Sequence, residues 1–368
     1  MNTCPVYHPP LVVYTSTLDR SYWQPAVRLF EEGNYEASFR HLLSYINSKK
    51  AVFCEKNGHW VMGHGSLMME IHITADGFLE MTVPFVRISK EKQAVLLRQA
   101  LTINTAPLTL PQLILKNDEF SFFYRTHLSL AHPDKMYRVI FEMCIYGDRF
   151  DDEFITQYGA LPLRPKKVKP FTKKKLEKAW AIYLSILEEA QQGAQQFAAK
   201  RLWGFGVEIL SIALMRIDYC IAPQGYLRTR LERSLQHFFE EKARDEIFNQ
   251  LMRDTEALLH LSPEEFAADC YQADFFVHAK KTADIPACRQ NMEQRWEWAK
   301  EDRARNDFRG VAFCYLFAAY NLLYNAFIPE ILEKEFLLTL KAMGGKDWDE
   351  AGILAWESYQ KMMDPTFS

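Results

Sequence analysis

Apolar side chains recur along the chain at two different spacings, which predict helices in some segments and strands in others. Residues 22–47 have the helical spacing, with a break at Gly33 and Asn34. Three alternating, strand-like runs follow, and after them come a helical stretch at 90–106, a further hairpin and a helical stretch at 136–160. This order predicts an α+β domain of the form α-β-β-β-α-β-β-α, with an antiparallel sheet packed on helices.

Three turn sequences set the expected register of the strands: Asn57-Gly58, Ala75-Asp76-Gly77 and Asn117-Asp118. The second turn is predicted to have three residues, with Gly77 in the left-handed conformation, because only that length keeps one face of the hairpin apolar. The expected cross-strand pairs are Lys56 with His59, Cys54 with Val61, Ile73 with Leu79, Ile71 with Met81, Met69 with Val83, Leu113 with Phe122 and Leu115 with Phe120.

The opposite face of this sheet is the candidate partner-binding surface. Its large apolar and cationic members are predicted to be Met68, His72, Phe78, Phe123, Arg125 and His127. Three large apolar side chains on an otherwise polar face exceed what a solvated sheet needs. Three kinds of contact would bury these side chains: contact with the second domain, with a second copy of the chain, or with a partner polypeptide.

Nearly all of the chain after Thr172 has the helical spacing, and helix-start signals recur at Thr172, Ser262 and Asp347. We therefore expect an α+β domain at 1–163, a basic linker running into a helix at 164–178, and an all-helical domain of seven to nine helices at 179–368. The net charges of these segments are −2, +7 and −8. A solvated linker explains the basic run, and contact with nucleic acid or an acidic partner is the alternative.

Cys54, His59, His64 and His72 lie within 19 residues, so a metal site has to be considered. Strands rise about 3.3 Å per residue, which places His64 and His72 roughly 26 Å apart. Cys54 and His59 supply only two ligands, and a zinc site needs more. The sequence therefore predicts no metal and no cofactor, and it predicts a β-bulge at His64 because glycines flank it.

A second charged group, the run DRFDDEF with Asp148, Asp151, Asp152 and Glu153, lacks the spacing of a calcium loop. We expect it to form a solvated helix face or turn.

Complete enzyme signatures are absent from the sequence: it contains no G-x-S-x-G, no G-x-x-x-x-G-K-[ST] and no H-E-x-x-H. A group of aromatic residues in the second half could line a ligand pocket between helices, although aromatics at helical spacing more often form core: Trp296, Trp298, Tyr315, Tyr320 and Tyr324. An enzyme or small-molecule-binding site in the helical domain is therefore the alternative hypothesis.

The element order over residues 21–160, with the runs SLMMEIHITADGFLEMTVPFVRIS and QLILKNDEFSFFYRTHLSL, resembles the class I type III secretion chaperone fold, including its Tir-chaperone and YbjN-like relatives. The resemblance implies a non-catalytic, often dimeric protein that holds a partner polypeptide on apolar surface of helix and sheet. The chain departs from that family in its long second domain and in the near-neutral charge of its first.

These observations predict a non-enzymatic protein-binding or chaperone-like module whose partner is a polypeptide or a second copy. Nucleic acid is disfavoured, because Phe171 is the only aromatic within the basic run. The seven cysteines are scattered and include no C-x-x-C pair, and the N-terminus lacks a signal-peptide pattern. We therefore expect no disulfides, no membrane association and a cytoplasmic location.

Overall fold

The computed structural model describes residues 3–53, 55–166 and 168–367, and the chain divides into two compact units. The α+β unit consists of Ser16–Pro170 and Tyr271–Ala279. The helical unit consists of Met1–Thr15, Phe171–Cys270 and Lys280–Ser368. Two short segments belong to a different unit from the one expected. Residues 1–15 are part of the helical unit, and residues 271–279 are part of the α+β unit.

The α+β unit contains an antiparallel sheet and flanking helices, as the sequence predicted. Its helices are α1 (Trp23–Glu31), α2 (Tyr35–Phe53), α3 (Gln93–Thr105) and α4 (Pro133–Thr156). Its main strands, in the spatial order β1-β2-β3-β4-β6-β5, are β1 (Glu55–Lys56), β2 (His59–His64), β3 (Leu67–Ile73), β4 (Phe78–Arg87), β5 (Gln112–Lys116) and β6 (Glu119–His127). The short strand β7 (Leu161–Pro162) pairs with β4, and β8 (Lys169–Pro170) pairs with β9 (Tyr271–Gln272) in a separate ladder.

The predicted turns are present, and their positive φ angles explain why Asn, Asp and Gly occupy them. Asn57 and Gly58 both have positive φ (50° and 75°), as do Asn117 and Asp118, while Gly77 has φ 80° at the end of the three-residue turn. The pairs observed as predicted are Lys56 with His59, Ile73 with Leu79, Ile71 with Met81, Leu113 with Phe122 and Leu115 with Phe120. The predicted pair of Met69 and Val83 is wrong, because the pairing of β3 with β4 ends at Glu70↔Thr82. The expected pair of Cys54 and Val61 lies outside the described residues, since Cys54 is not among them.

The bulge expected at His64 is wrong. The pairing of β2 with β3 runs without a shift from His59↔His72 to His64↔Leu67, and Gly65 and Ser66 form the turn between the strands. Gly65 has φ 57°, which explains why this glycine follows the strand. His64 is buried on the inner face, where its Nδ1 accepts a hydrogen bond from the Val277 amide (3.4 Å) and its ring packs on Phe275.

The inner face of the sheet forms the core of this unit with α2 and α4. Alternate residues of β3 and β4, such as Met69, Ile71 and Met81, are fully buried there. The segment Tyr271–Ala279 contributes to the same core through Phe276 and Val277, and its Asp274 carbonyl accepts a hydrogen bond from the Gly65 amide (3.0 Å). These contacts are the reason why a stretch from the second half of the chain belongs to the α+β unit.

The outer edge of the sheet at β5 is partly closed by α3. The Asn104 side chain accepts a hydrogen bond from the Leu113 amide (2.7 Å) and donates one to the Leu113 carbonyl (2.9 Å). An unpaired edge strand is a template for pairing with other chains, so this bidentate contact removes one docking position from the edge.

The helical unit is built from α5 (Lys173–Ala199), α6 (Trp203–Ile221), α7 (Gly225–Gln236), α8 (Arg244–Leu259), α9 (Pro263–Ala268), α10 (Ile285–Ala304), α11 (Phe308–Asn325), α12 (Glu330–Met343) and α13 (Trp348–Met363). Two short strands, β10 (Lys281–Thr282) and β11 (Ala326–Phe327), pair in parallel. The predicted starts at Thr172, Ser262 and Asp347 are confirmed, because each side chain accepts a hydrogen bond from the backbone of its helix.

The long apolar run after residue 310 forms α11, whose buried residues belong to the core of the helical unit. Within the described residues, no helix has the combination of length and apolar character needed to cross a membrane. The cysteines that the structure describes, six of the seven, are buried and form no disulfide.

Candidate functional site

The outer face of the sheet carries a polar row that runs across four strands. His59 of β2 lies opposite His72 of β3, His72 lies opposite Glu80 of β4, and Glu80 lies opposite Arg125 of β6. The Arg125 Nε donates to Glu80 Oε1 at 3.0 Å, and the rings of His59 and His72 are 6.0 Å apart. The sequence predicted the pair of His72 and Glu80, and the structure adds its neighbours on both sides.

Aromatic and cationic groups meet at one end of this row. The Arg125 guanidinium lies over the Phe78 ring at 4.1 Å, and the His127 ring packs edge-on against the same ring at 5.4 Å. Arg125, His127 and His72 are exposed, whereas Phe78 and Phe123 are half-buried. Four of the six predicted surface residues are therefore close together, with Phe123 two positions along β6 from Arg125.

Met68, the sixth predicted residue, lies at the opposite end of the face, where the sheet opens. Strands β3 and β4 are paired from Ile73↔Leu79 to Glu70↔Thr82. Further along β4, strand β7 pairs with it at Val86 and Arg87. Between these points the strands diverge around a groove of about 190 Å³. Met68, Val61 and Pro84 are among its lining residues, so the groove is continuous with the outer face.

One carboxyl group, that of Asp151, lines the groove. Asp151 and Ile155 of α4 line it together with Ser66, and Arg164 and Lys166 lie at its rim. Asp151, Asp152 and Glu153 are each more than nine-tenths buried. The expectation of a solvated acidic face is therefore wrong, because the turn between β2 and β3 packs on this part of α4.

Hydrogen bonds join the acidic residues to that turn. The Ser66 amide donates to Asp148 Oδ1 at 2.8 Å, and the Ser66 hydroxyl contacts both Asp148 and Asp151. Lys166 forms an ion pair with Asp152, and Arg164 lies 3.5 Å from Glu70. Both rim cations therefore have a carboxylate partner already.

Burial raises the pKa of Asp151 well above its usual range, and the neighbouring carboxylates Asp152 and Asp148 raise it further. The Ser66 hydrogen bond and Lys166 oppose the increase without cancelling it. A protonated Asp151 can donate to Ser66 Oγ, which leaves the Ser66 hydroxyl proton free to bond Asp148. The turn and the helix are thus joined through a carboxyl group that favours its neutral form.

We expect Asp151→Asn to remove a pH-dependent contribution to stability, because an amide imitates the protonated acid. A carboxyl whose folded pKa is raised stabilises the fold fully below the ordinary Asp range, and this stabilisation is lost as pH rises through the raised pKa. Denaturant unfolding between pH 4 and pH 9 should show a decline for the wild type that is smaller for the variant. Asp134→Asn, an exposed change on the same helix, should retain the decline.

The spacing of the acidic residues in the sequence indicates this cluster, although their charge suggested that they are exposed. Asp148, Asp151 and Asp152 have i, i+3, i+4 spacing, which places three carboxylates on one face of α4. Ser66 and Asp151 are 85 positions apart, so no local pattern relates them.

The metal site and the aromatic ligand pocket that the sequence analysis considered can be compared with the structure. In the described residues, no group of three or more His, Cys, Asp or Glu side chains is arranged to hold a metal ion. Among the aromatics proposed for a ligand pocket, Tyr315 and Tyr320 are buried core residues, and Trp296 stacks on Trp356 at 4.9 Å. The helical unit instead has a shallow depression of about 480 Å³ beside Trp203, Phe205 and Arg244.

No protein-family model matches the chain, and no curated protein matches it. The resemblance to type III secretion chaperones therefore stays a prediction.

Proposed function

We propose that the α+β unit is a non-enzymatic polypeptide-binding module, in which the outer sheet face holds an extended partner and the groove beside Met68 receives one basic side chain of that partner. The observation that carries the proposal is the buried Asp151 carboxyl that lines the groove, which opens onto a face with half-buried aromatic side chains. The expected chaperone-like behaviour agrees with this arrangement.

The size of the groove favours a single side chain. Small-molecule sites enclose about 300–1,000 Å³, and this groove encloses about 190 Å³. Its lining includes Val61, Leu67 and Met68, which suit the methylene stem of Lys or Arg, and Asp151, which would bind the charged group.

The charges also favour a basic occupant over an acidic one. Lys166 and Arg164 lie near Asp152 and Glu70, and Asp151 shares the neutral Ser66 with Asp148. An incoming cation would stabilise the ionised form of Asp151, so binding would release a proton. Affinity should therefore rise with pH through the raised pKa of Asp151.

A peptide panel tests this function. Fluorescence anisotropy with the full chain would compare labelled peptides of about 12 residues that carry Lys, Arg, norleucine or Glu between apolar residues. We expect Lys and Arg peptides to bind at least about 10-fold more tightly than the norleucine peptide, since one buried charge-assisted hydrogen bond contributes about that much. The preference should increase with pH.

Two variants test whether Asp151 causes the preference for basic peptides. Asp151→Asn should abolish both the preference for Lys over norleucine and its pH dependence, whereas Asp134→Asn should change neither. Equal binding of all four peptides by the wild type would contradict the basic anchor. A homodimer in sedimentation that excludes every peptide would instead identify a second copy as the occupant of the face.

A further inference from the structure

Residues 3–15 cross the helical unit in extended form, and they contact it through main-chain hydrogen bonds as well as through side chains. The hydrogen bonds are Cys4 N–H to Lys346 O (2.7 Å), Gly345 N–H to Cys4 O (3.0 Å), Val6 N–H to Glu189 Oε1 (2.9 Å), Arg216 Nη2 to Val6 O (2.5 Å), Cys220 Sγ to His8 O (3.2 Å) and Leu11 N–H to Cys220 O (2.7 Å). Cys4, Val6 and His8 are every second residue, as expected when one edge of an extended chain faces its binding surface.

A buried ion pair recognises the peptide group at Val6. Arg216 is 1% exposed, and its Nη1 donates to Glu189 Oε2 at 2.7 Å. The second oxygen of Glu189 accepts the Val6 N–H, and the second nitrogen of Arg216 donates to the Val6 carbonyl. A buried ion pair needs its remaining donors and acceptors satisfied, and here a main-chain amide of any residue except proline would satisfy them.

The rest of the surface is shaped to receive a chain. A Cβ atom on Gly344 would lie 2.9 Å from the Tyr7 nitrogen, so glycine at this position allows the close approach. Cys4 and Val12 join the core of the helical unit, and Tyr7, Leu11 and Tyr14 pack against it. The prolines at positions 5, 9 and 10 fall where no amide donor is used, and they favour extended backbone.

We infer that this groove of the helical unit, between Glu189, Arg216, Cys220 and Gly344–Lys346, is a binding site for an extended, uncharged polypeptide, which residues 3–15 occupy as a ligand in cis. The segment contains no Asp, Glu, Lys or Arg, in agreement with an ion pair whose own charges balance. The site binds main-chain groups and apolar side chains of the segment, so the same segment supplied as a separate peptide binds the groove once the cis copy is detached.

The test keeps the full chain and cuts it after folding. A protease site inserted between Thr15 and Ser16 detaches the segment, and a fluorescent peptide of residues 3–15 reports binding by anisotropy. We expect the nicked protein to bind the peptide with a Kd in about the micromolar range. The uncut protein should bind about 1,000-fold more weakly, because a tethered ligand has an effective concentration of about millimolar.

N-methylation of the peptide separates this site from unspecific binding. A methyl group on the Val6 nitrogen removes the donor that Glu189 accepts, and we expect affinity to fall about 30-fold. The same modification at Val13, which is exposed, should have no effect. Equal binding of the two methylated peptides, or equal binding by cut and uncut protein, would overturn the inference.

A second variant covers the case in which the nicked protein unfolds. Val6→Pro keeps the chain continuous and removes the same N–H group, so the cis segment is weakened and the peptide should bind the uncut variant. If neither the nicked chain nor Val6→Pro binds the peptide, the segment is a fixed part of the fold and the groove is not a replaceable binding site.

Discussion

Replacing Gly65 with alanine should destabilise the α+β unit by about 3 kcal/mol, which is the combined order of a left-handed alanine and an overpacked contact. Gly65 has φ 57°, and a Cβ atom there would lie 1.7 Å from Asp148 Oδ1. The turn between β2 and β3 would have to move away from α4, which would open the groove. Hydrogen exchange of β2 and β3 measures this loss locally, as a chain with two units need not unfold in one step.

Gly63→Ala is the matched control, because Gly63 and Gly65 flank the same residue, His64. Its φ lies outside the left-handed region, and an added Cβ atom would meet only Met68 Sδ at 3.7 Å, an ordinary contact. We expect its amide protection to change by less than about 1 kcal/mol. Similar protection in both variants would show that the turn does not depend on its close approach to Asp148.

The sheet was predictable because its turns are local. Gly77 and the pair Asn57-Gly58 fix loop lengths through positive φ, and loop length together with alternation fixes which residues face the core. Nothing comparable was available for residues 1–15 and 271–279. Their assignment to units depends on contacts with distant parts of the chain. The Val6 amide bonds Glu189 and the Asp274 carbonyl bonds the Gly65 amide, each more than 180 positions away, and Phe276 packs in the core of the α+β unit.

The candidate site was predictable only in part, for the same reason. Strand alternation placed Phe78, His72 and Arg125 on one face, and that face is as expected. The groove depends on where β3 leaves β4 and on which side of α4 lies beneath it. The charge of Asp151 suggested exposure, because acidic residues are seldom buried without a partner, and the partner turn was not recognisable from local sequence.

Replacing Phe78 and Phe123 together with glutamate should abolish partner binding while leaving the thermal midpoint within about 3 °C of the wild type. Both rings are half-buried on the outer face and outside the core of the unit. A carboxylate at position 78 would lie near the Arg125 guanidinium, which now covers the ring, so the folded state should accommodate it. Two aromatic anchors lost from a binding surface should weaken affinity at least about 100-fold.

A control with the same change of charge comes from α3. Val95 and Leu101 are 43% and 67% exposed, and their double replacement with glutamate should leave binding of the basic peptides intact. Calorimetry and peptide anisotropy on both double variants separate the alternatives. A sharp fall in the midpoint for the Phe78 and Phe123 variant would assign these rings to an internal contact, and unchanged affinity with an unchanged midpoint would remove the outer sheet face from the binding surface.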